Sequence, residues 1–268
     1  MYRTGLVGLL LRRKLRHRAI VVTYHRVLPR SLRRQSFSHD AIIVTPELFD
    51  RHLATLKRYF SCVDLAEFSG KLQSGQFSGR PHCLITFDDA WQDNHDFAFP
   101  ILRRHGASAV IFVPTDYIGT GALFWQERLG HILHRLCRES PEVASGLLRD
   151  YGWSQLPVMA EDQRVEAIKS AIRDIKTKSY AEIDDMIAQL EAALSDRCED
   201  YGVDAYLSVA QMREMQQYGI SFQSHGRSHR VFTRLDQREL FEELEGSADW
   251  LEKNLGSRPM ALAYPNGD

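Results

Sequence analysis

The sequence predicts an α/β fold built on a parallel sheet, and three observations carry that expectation. Short β-branched or apolar runs, 19–24 (AIVVTY), 83–87 (CLITF) and 109–113 (AVIFV), read as buried strands. Between the last two lies a helical stretch over about 95–105 that stops at Gly106, so strand, helix and strand follow within roughly 30 residues, the pattern of a βαβ unit. Polar residues able to do chemistry collect where the strands end, and in parallel α/β folds those ends share one rim.

The remaining elements follow in order. Thr45-Pro46 opens a helix over 47–60, with Leu48, Phe49, Leu53, Leu56 and Phe60 on one face. Between Gly119 and Ser208 no strand signal stands out. Residues 161–200 carry 17 charges, while Ile168, Ile172 and Ile175, then Ile183, Ile187, Leu190 and Leu194, recur at helical spacing. This reads as a helical insertion of about 90 residues. A strand returns at 219–224 and ends at His225. Asp236 with Glu239 forms a capping box for a helix that buries Leu240, Leu244, Ala248, Leu251 and Leu255 and stops at Gly256. A last short strand, 261–264, runs into Pro265-Asn266-Gly267-Asp268.

Composition excludes several classes. The 268 residues are 44% apolar and 26% charged, which suits a globular chain of one large or two small domains. No apolar run reaches the roughly 18 residues of a spanning helix. Cys62, Cys83, Cys137 and Cys198 are scattered without a CxxC pair, which argues against a zinc ribbon or a disulfide scaffold and for free thiols in a reducing compartment. No GxSxG elbow, Walker A loop or GxGxxG fingerprint occurs.

Charge is uneven. The first acid is Asp40, and ten of the 34 Lys and Arg precede it; from there on 24 bases face 35 acids. Residues 1–18 read as a basic helix, and a cytoplasmic location with peripheral contact at the inner membrane face is expected for it. A secretory signal is not, because the cluster Arg12, Arg13, Lys14, Arg16, Arg18 follows the apolar stretch instead of preceding it. The acidic body argues against nucleic acid as a partner.

Three strand ends hold the candidate site, the ends marked by Asp88-Asp89, by His225 with His229, and by Tyr264-Pro265-Asn266-Gly267. Asp88-Asp89 close one strand, and two adjacent carboxylates repel unless a cation separates them. His225 and His229 stand at i, i+4, a spacing that brings two imidazoles to one metal, and imidazole with carboxylate suits Zn²⁺, Co²⁺, Ni²⁺ or Fe²⁺. Two His and one Asp leave positions open for water and substrate, as catalytic sites do. His25 ends the first strand on the same rim, a candidate substrate-side residue. Trp91 and Trp125 are candidates for stacking on a sugar ring, with the apolar core as the commoner fate of a lone Trp. Asp93, His95 and Asp96 read as solvated residues of a helix start.

Thr86-Phe87-Asp88-Asp89 resembles the first motif of the NodB-like polysaccharide deacetylases, carbohydrate esterase family four. Ser224-His225-Gly226-Arg227-Ser228-His229 resembles the second, and Ala263-Tyr264-Pro265-Asn266-Gly267 stands at the place of the third; Tyr24-His25-Arg26-Val27 is common in the exopolysaccharide-type branch. The resemblance implies a domain over 19–268 with the insertion at about 119–208, folded as a distorted (β/α)7-type barrel. It implies Asp88 as the general base, and Asp89, His225 and His229 as ligands of one divalent metal, Zn²⁺ with Co²⁺ or Ni²⁺ as alternatives. Tyr264 and Asn266 join His25 as weaker substrate-binding candidates. The reaction implied is removal of N-acetyl groups from an acetylated amino-sugar polysaccharide or oligosaccharide. Ala90 stands where the family usually has Gly, and Ala263 where an Arg usually orients the base, with Arg258 out of register to replace it. The family's later motifs find no counterpart, so a barrel incomplete at the C-terminus is expected. The competing reading is a metal-retaining carbohydrate binder without turnover.

Overall fold

The computed structural model describes residues 13–14, 18–75, 80–194 and 201–267. The basic helix expected over 1–18 thus falls outside the described residues but for Arg13, Lys14 and Arg18. The peripheral membrane contact expected of it has no support there, and no helix among the described residues is long and apolar enough to cross a membrane. The chain divides into two compact units. One takes Met1–Pro29, Ile42–Thr120 and Tyr206–Asp268; the other takes Arg30–Ala41 and Gly121–Ala205.

The first unit is the α/β scaffold. Its strands are β1 (Ala19–Tyr24), β2 (Arg26–Val27), β3 (Ile43–Val44), β4 (Ser61–Cys62), β5 (His82–Phe87), β6 (Ala109–Val113) and β7 (Ile220–Ser224). A five-stranded parallel sheet runs β1-β5-β6-β7, with β4 paired to the first two residues of β5, while β2 and β3 make a separate parallel pair. The expected last strand is reduced to a bridge between Leu262 and Ser224, bounded by hydrogen bonds from Ser224 N to Ala261 O (3.3 Å) and from Ala263 N to Ser224 O (3.1 Å). No pairing joins β1 to that segment, so among the described residues the barrel is open.

β5 is buried on both faces, as parallel strands are. Cys83, Ile85 and Phe87 pack into the helix layer with Phe49 and Leu53, whereas Leu84 lies in a smaller cluster with Val63, Phe68, Val110 and Phe112. The helix Pro46–Tyr59 begins where expected, its Thr45 hydroxyl accepting from Leu48 N at 3.3 Å. Phe49 and Leu53 are its fully buried anchors. Each contributes about 1.5–3 kcal/mol by burial, and Leu53→Ala would cost about 2–5 kcal/mol.

The helix expected over 95–105 starts differently. A single π turn, Asn94–Ala98, precedes the α-helix Phe99–His105, which ends at Gly106 with φ +54°. The side chains of Asp93 and Asn94 at this start reach β2 and the His25 carbonyl just before it, as described below. The helix Gln237–Leu255 carries the expected Asp236–Glu239 capping box, and Gly256 ends it at φ +80°. Its inner face is more polar than expected. Glu243 and Ser247 are buried beside Ala248 and Leu251, while Leu240 and Leu244 are only half-buried.

The second unit is helical, made of Trp125–Glu139, Pro141–Leu147, Glu161–Asp174 and Tyr180–Glu191. Leu129, Ile132, Leu133 and Leu136 pack against Ile168, Ile172, Ile183, Ile187 and Leu190, so the periodic residues form its core, with Glu127 and Lys169 as buried charges beside it. Trp125 packs against this core. Gly130 sits inside a helix because a Cβ there would come within 2.3 Å of the Phe37 ring.

Candidate active site

The ends of β5 and β7 bring the motifs together, and the backbone does unusual things to achieve it. Asp88 N continues the ladder to Tyr24 O at 3.0 Å. Asp89 and Ala90 then turn left-handed, at φ +74° and +55°. On a continuing strand the two Asp side chains would alternate between faces; the turn sends Asp89 to the histidines instead. The described non-glycine residues with positive φ are Asp89, Ala90, His229 and Asn266, all in the three motif segments. Each such residue costs about 1–2 kcal/mol, strain of the kind that clusters at functional sites.

The loop after β7 places the histidines. His225 N donates to Val113 O at 3.0 Å. Gly226 follows at φ +74°, where a Cβ would meet Glu243 Oε2 at 2.8 Å and the Phe232 ring at 3.1 Å, so only glycine fits. Buried Glu243 accepts from Arg227 N at 2.5 Å, from Ser228 N at 2.9 Å and from the Ser228 hydroxyl. Those bonds hold the turn that presents His229 at φ +57°. Glu243 looks like one more charge on an amphipathic helix in the sequence, and nothing local marks it.

One oxygen is the focus. Asp89 Oδ1 lies 3.5 Å from His225 Nε2 and 3.2 Å from His229 Nε2, and the three atoms fall within 4.8 Å of one another. Ligands about 2.0–2.2 Å from a tetrahedral ion stand roughly 3.3–3.6 Å apart, so the set fits one divalent metal. Its other atoms are already tied. Asp89 Oδ2 accepts from Trp91 Nε1 at 3.1 Å, and His225 Nδ1 donates to Ala263 O at 2.9 Å. Asp89 Oδ1 itself is buried without a hydrogen bond of good geometry. Burial opposes ionisation of Asp89, yet the two imidazoles hold its carboxyl well below the ordinary range. His229 is pushed down by burial, toward the neutral form that ligates, whereas Asp89 outweighs burial at His225 and raises it.

Asp88 stands beside this group. Burial raises its carboxyl above the ordinary range, although His225 and His25 pull it down. His25 Nε2 lies 3.8 Å from Asp88 Oδ2. The position of His25 is fixed from below: Arg26 Nε donates to Asp93 Oδ2 at 2.8 Å, Val27 N to Asp93 Oδ1 at 2.7 Å, and Asn94 Nδ2 to His25 O at 2.8 Å. A cleft of about 400 Å³ lined by Thr23, Thr86, Asp88, Phe112 and Ala263, among others, opens beside the carboxylate.

One expectation changes: Asp93 is buried and ion-paired, not a solvated helix-start residue. Trp91 takes the commoner fate of a lone Trp; it is fully buried, with Arg26 4.1 Å above its ring, and it orients Asp89 instead of stacking on a sugar. His95 does pair with Asp96 and Glu214 near the surface. Arg258 binds Glu245, Asp249 and Glu252 on the exterior, as its register implied. Tyr264 is 59% exposed with its ring against Phe232, and Asn266 is exposed as well.

The profile of the polysaccharide deacetylase family matches residues 77–268, the stretch that carries all three motifs. The chain belongs to that family. Solved structures agree on the fold. The deacetylase PplD of Streptococcus pyogenes, in complex with acetate, superposes at TM-score 0.56 with 20% identity, over 93% of this chain and 74% of that one. IcaB from Ammonifex degensii gives TM-score 0.56 and 17% identity over 93% and 75%. A de-N-acetylase from Aggregatibacter actinomycetemcomitans gives 0.55 and 13% over 92% and 79%. No curated protein matches. This deacetylase is therefore a hydrolase of carbon–nitrogen bonds in polysaccharides, on a NodB-type α/β fold.

Proposed function

We propose that this deacetylase removes N-acetyl groups from amino sugars of a polysaccharide or its oligosaccharide precursor, and that it does so with one divalent metal, most simply Zn²⁺. The convergence of Asp89 Oδ1 with two imidazole Nε2 atoms beside a second, raised carboxyl carries the reading. Asp89, His225 and His229 would hold the ion. Bound there, a divalent ion would polarise the acetyl carbonyl and bring the pKa of water from 15.7 to around 7.

The protein's own groups do the rest. Asp88 takes the proton of the attacking water as its oxygen bonds to the acetyl carbon. The C–N bond then breaks, and the proton taken up by Asp88 passes to the leaving amine nitrogen. Acetate and a free amino sugar result. His25 is a basic side chain 3.8 Å from Asp88, whereas position 263, where the family usually has an Arg, is an Ala. The Ala263 carbonyl keeps His225 in the tautomer that leaves Nε2 unprotonated. Tyr264 and Asn266, exposed on the same strand-end loop as Ala263, are the proposed sugar contacts.

Incubation with acetylated amino-sugar oligomers, followed by mass spectrometry, tests the reading. Products each short of one acetyl group are expected from the zinc-supplemented chain, and none from His225→Ala. Oligomer binding without any loss of acetyl would make the chain a binder and not a catalyst.

A further inference from the structure

Two cysteines that the sequence separates are partners across the sheet. Cys62 on β4 is in register with Cys83 on β5, and Val63 N donates to Cys83 O at 3.0 Å. Residues level with each other on paired strands share a face, and both side chains belong to the same apolar cluster under the helix Pro46–Tyr59. Adjacent strands lie about 4.8 Å apart, inside the roughly 4.4–6.8 Å span of Cα atoms that a disulfide bridges. Both thiols are free, Cys62 half-buried and Cys83 fully buried. The deacetylation chemistry uses neither.

We propose that Cys62 and Cys83 are a redox-active dithiol, closed to a disulfide within the sheet by exchange with a small-molecule disulfide such as oxidised glutathione. The two sulfurs differ as attacking and resolving groups should. The Cys83 thiol beside it, with Lys57 and Arg80 nearby, lowers Cys62 to about 7 despite burial. The Cys62 sulfur and burial push Cys83 up, and its S–H points to Leu84 O at 3.8 Å. Cys62 as thiolate attacks one sulfur of the small disulfide and releases one thiolate, leaving a mixed disulfide. Cys83, giving up its proton, then attacks the Cys62 sulfur and expels the second thiolate. The protein is oxidised by two electrons, and the small disulfide is reduced to two thiols.

Oxidised glutathione added to the full chain, with alkylation of the remaining thiols and peptide mapping, tests this. The expected result is a Cys62–Cys83 linked peptide that dithiothreitol reopens, and in Cys83→Ala a glutathione adduct that stays on Cys62. A wild-type adduct on Cys62 that never proceeds to the bridge would overturn the proposal. So would both cysteines remaining open to alkylation, or a bridge from either one to Cys137 or Cys198.

Discussion

His225 Nδ1 lies 2.9 Å from the carbonyl oxygen of Ala263, a side-chain-to-backbone contact between the second and third motif segments. A carbonyl only accepts, so Nδ1 carries a proton, and in the neutral ring Nε2, on the side of Asp89, is the nitrogen left to ligate. The role belongs to the backbone of residue 263. The alanine there is thus compatible with the metal site, and its missing guanidinium bears on Asp88 alone.

Asp88→Asn should separate the two carboxylates. Zinc binding, measured by metal analysis after dialysis, stays intact, while turnover falls by about 10²–10⁴. Loss of the metal with this substitution would mean that Asp88 and Asp89 exchange roles.

The pH dependence of stability follows from the raised carboxyl of Asp88. A group whose folded pKa exceeds its unfolded value stabilises fully below the unfolded pKa, about 3.9 for Asp, and loses that contribution as pH rises through the folded pKa. In metal-free protein, Asp88→Asn should therefore unfold at higher denaturant than wild type at pH 7. The advantage should vanish as pH falls to about 4. An advantage that grows toward acid would reverse the sign and refute the assignment.

Arg26 and Asp93 form a buried ion pair, their side chains at most 2% exposed. Arg26→Met removes the charged partner of a buried carboxylate that is also held by the Val27 amide and Asn94, and should cost about 3–5 kcal/mol in urea unfolding. The Arg26 guanidinium also covers Trp91, which donates to Asp89, so zinc affinity should fall by about 10–100-fold. An unchanged affinity in the folded variant would cut that chain of support.

Ala90 holds φ +55° where glycine would be unstrained. Ala90→Gly exchanges about 1–2 kcal/mol of strain for about 0.5–1 kcal/mol of chain entropy, so a gain of up to about 1 kcal/mol is expected from thermal unfolding. A clear loss would show that the Ala90 methyl packs for more than its backbone costs.

Sequence reading reached the parts of the protein where one residue type has one physical use. β1 and β6 stand where their β-branched runs predict, and the capped helices begin at Thr45 and Asp236 as their side chains dictate. The Asp89, His225 and His229 cluster was legible from spacing and motif order. The supporting groups were not. Asp93 and Glu243 look solvated in one dimension, and only the fold supplies Arg26 and the 227–228 amides that make their burial tolerable. The Cys62–Cys83 register was hidden because β4 is two residues long, too short for any periodicity.

The most direct test of the account is acetate release from acetylated amino-sugar oligomers by one preparation, assayed after chelation and again after zinc is restored. The account predicts no acetate from the metal-free chain, recovery with about one zinc per chain, and no recovery in Asp89→Asn or His229→Ala. Acetate release that survives chelation, or that persists in those variants, would contradict it.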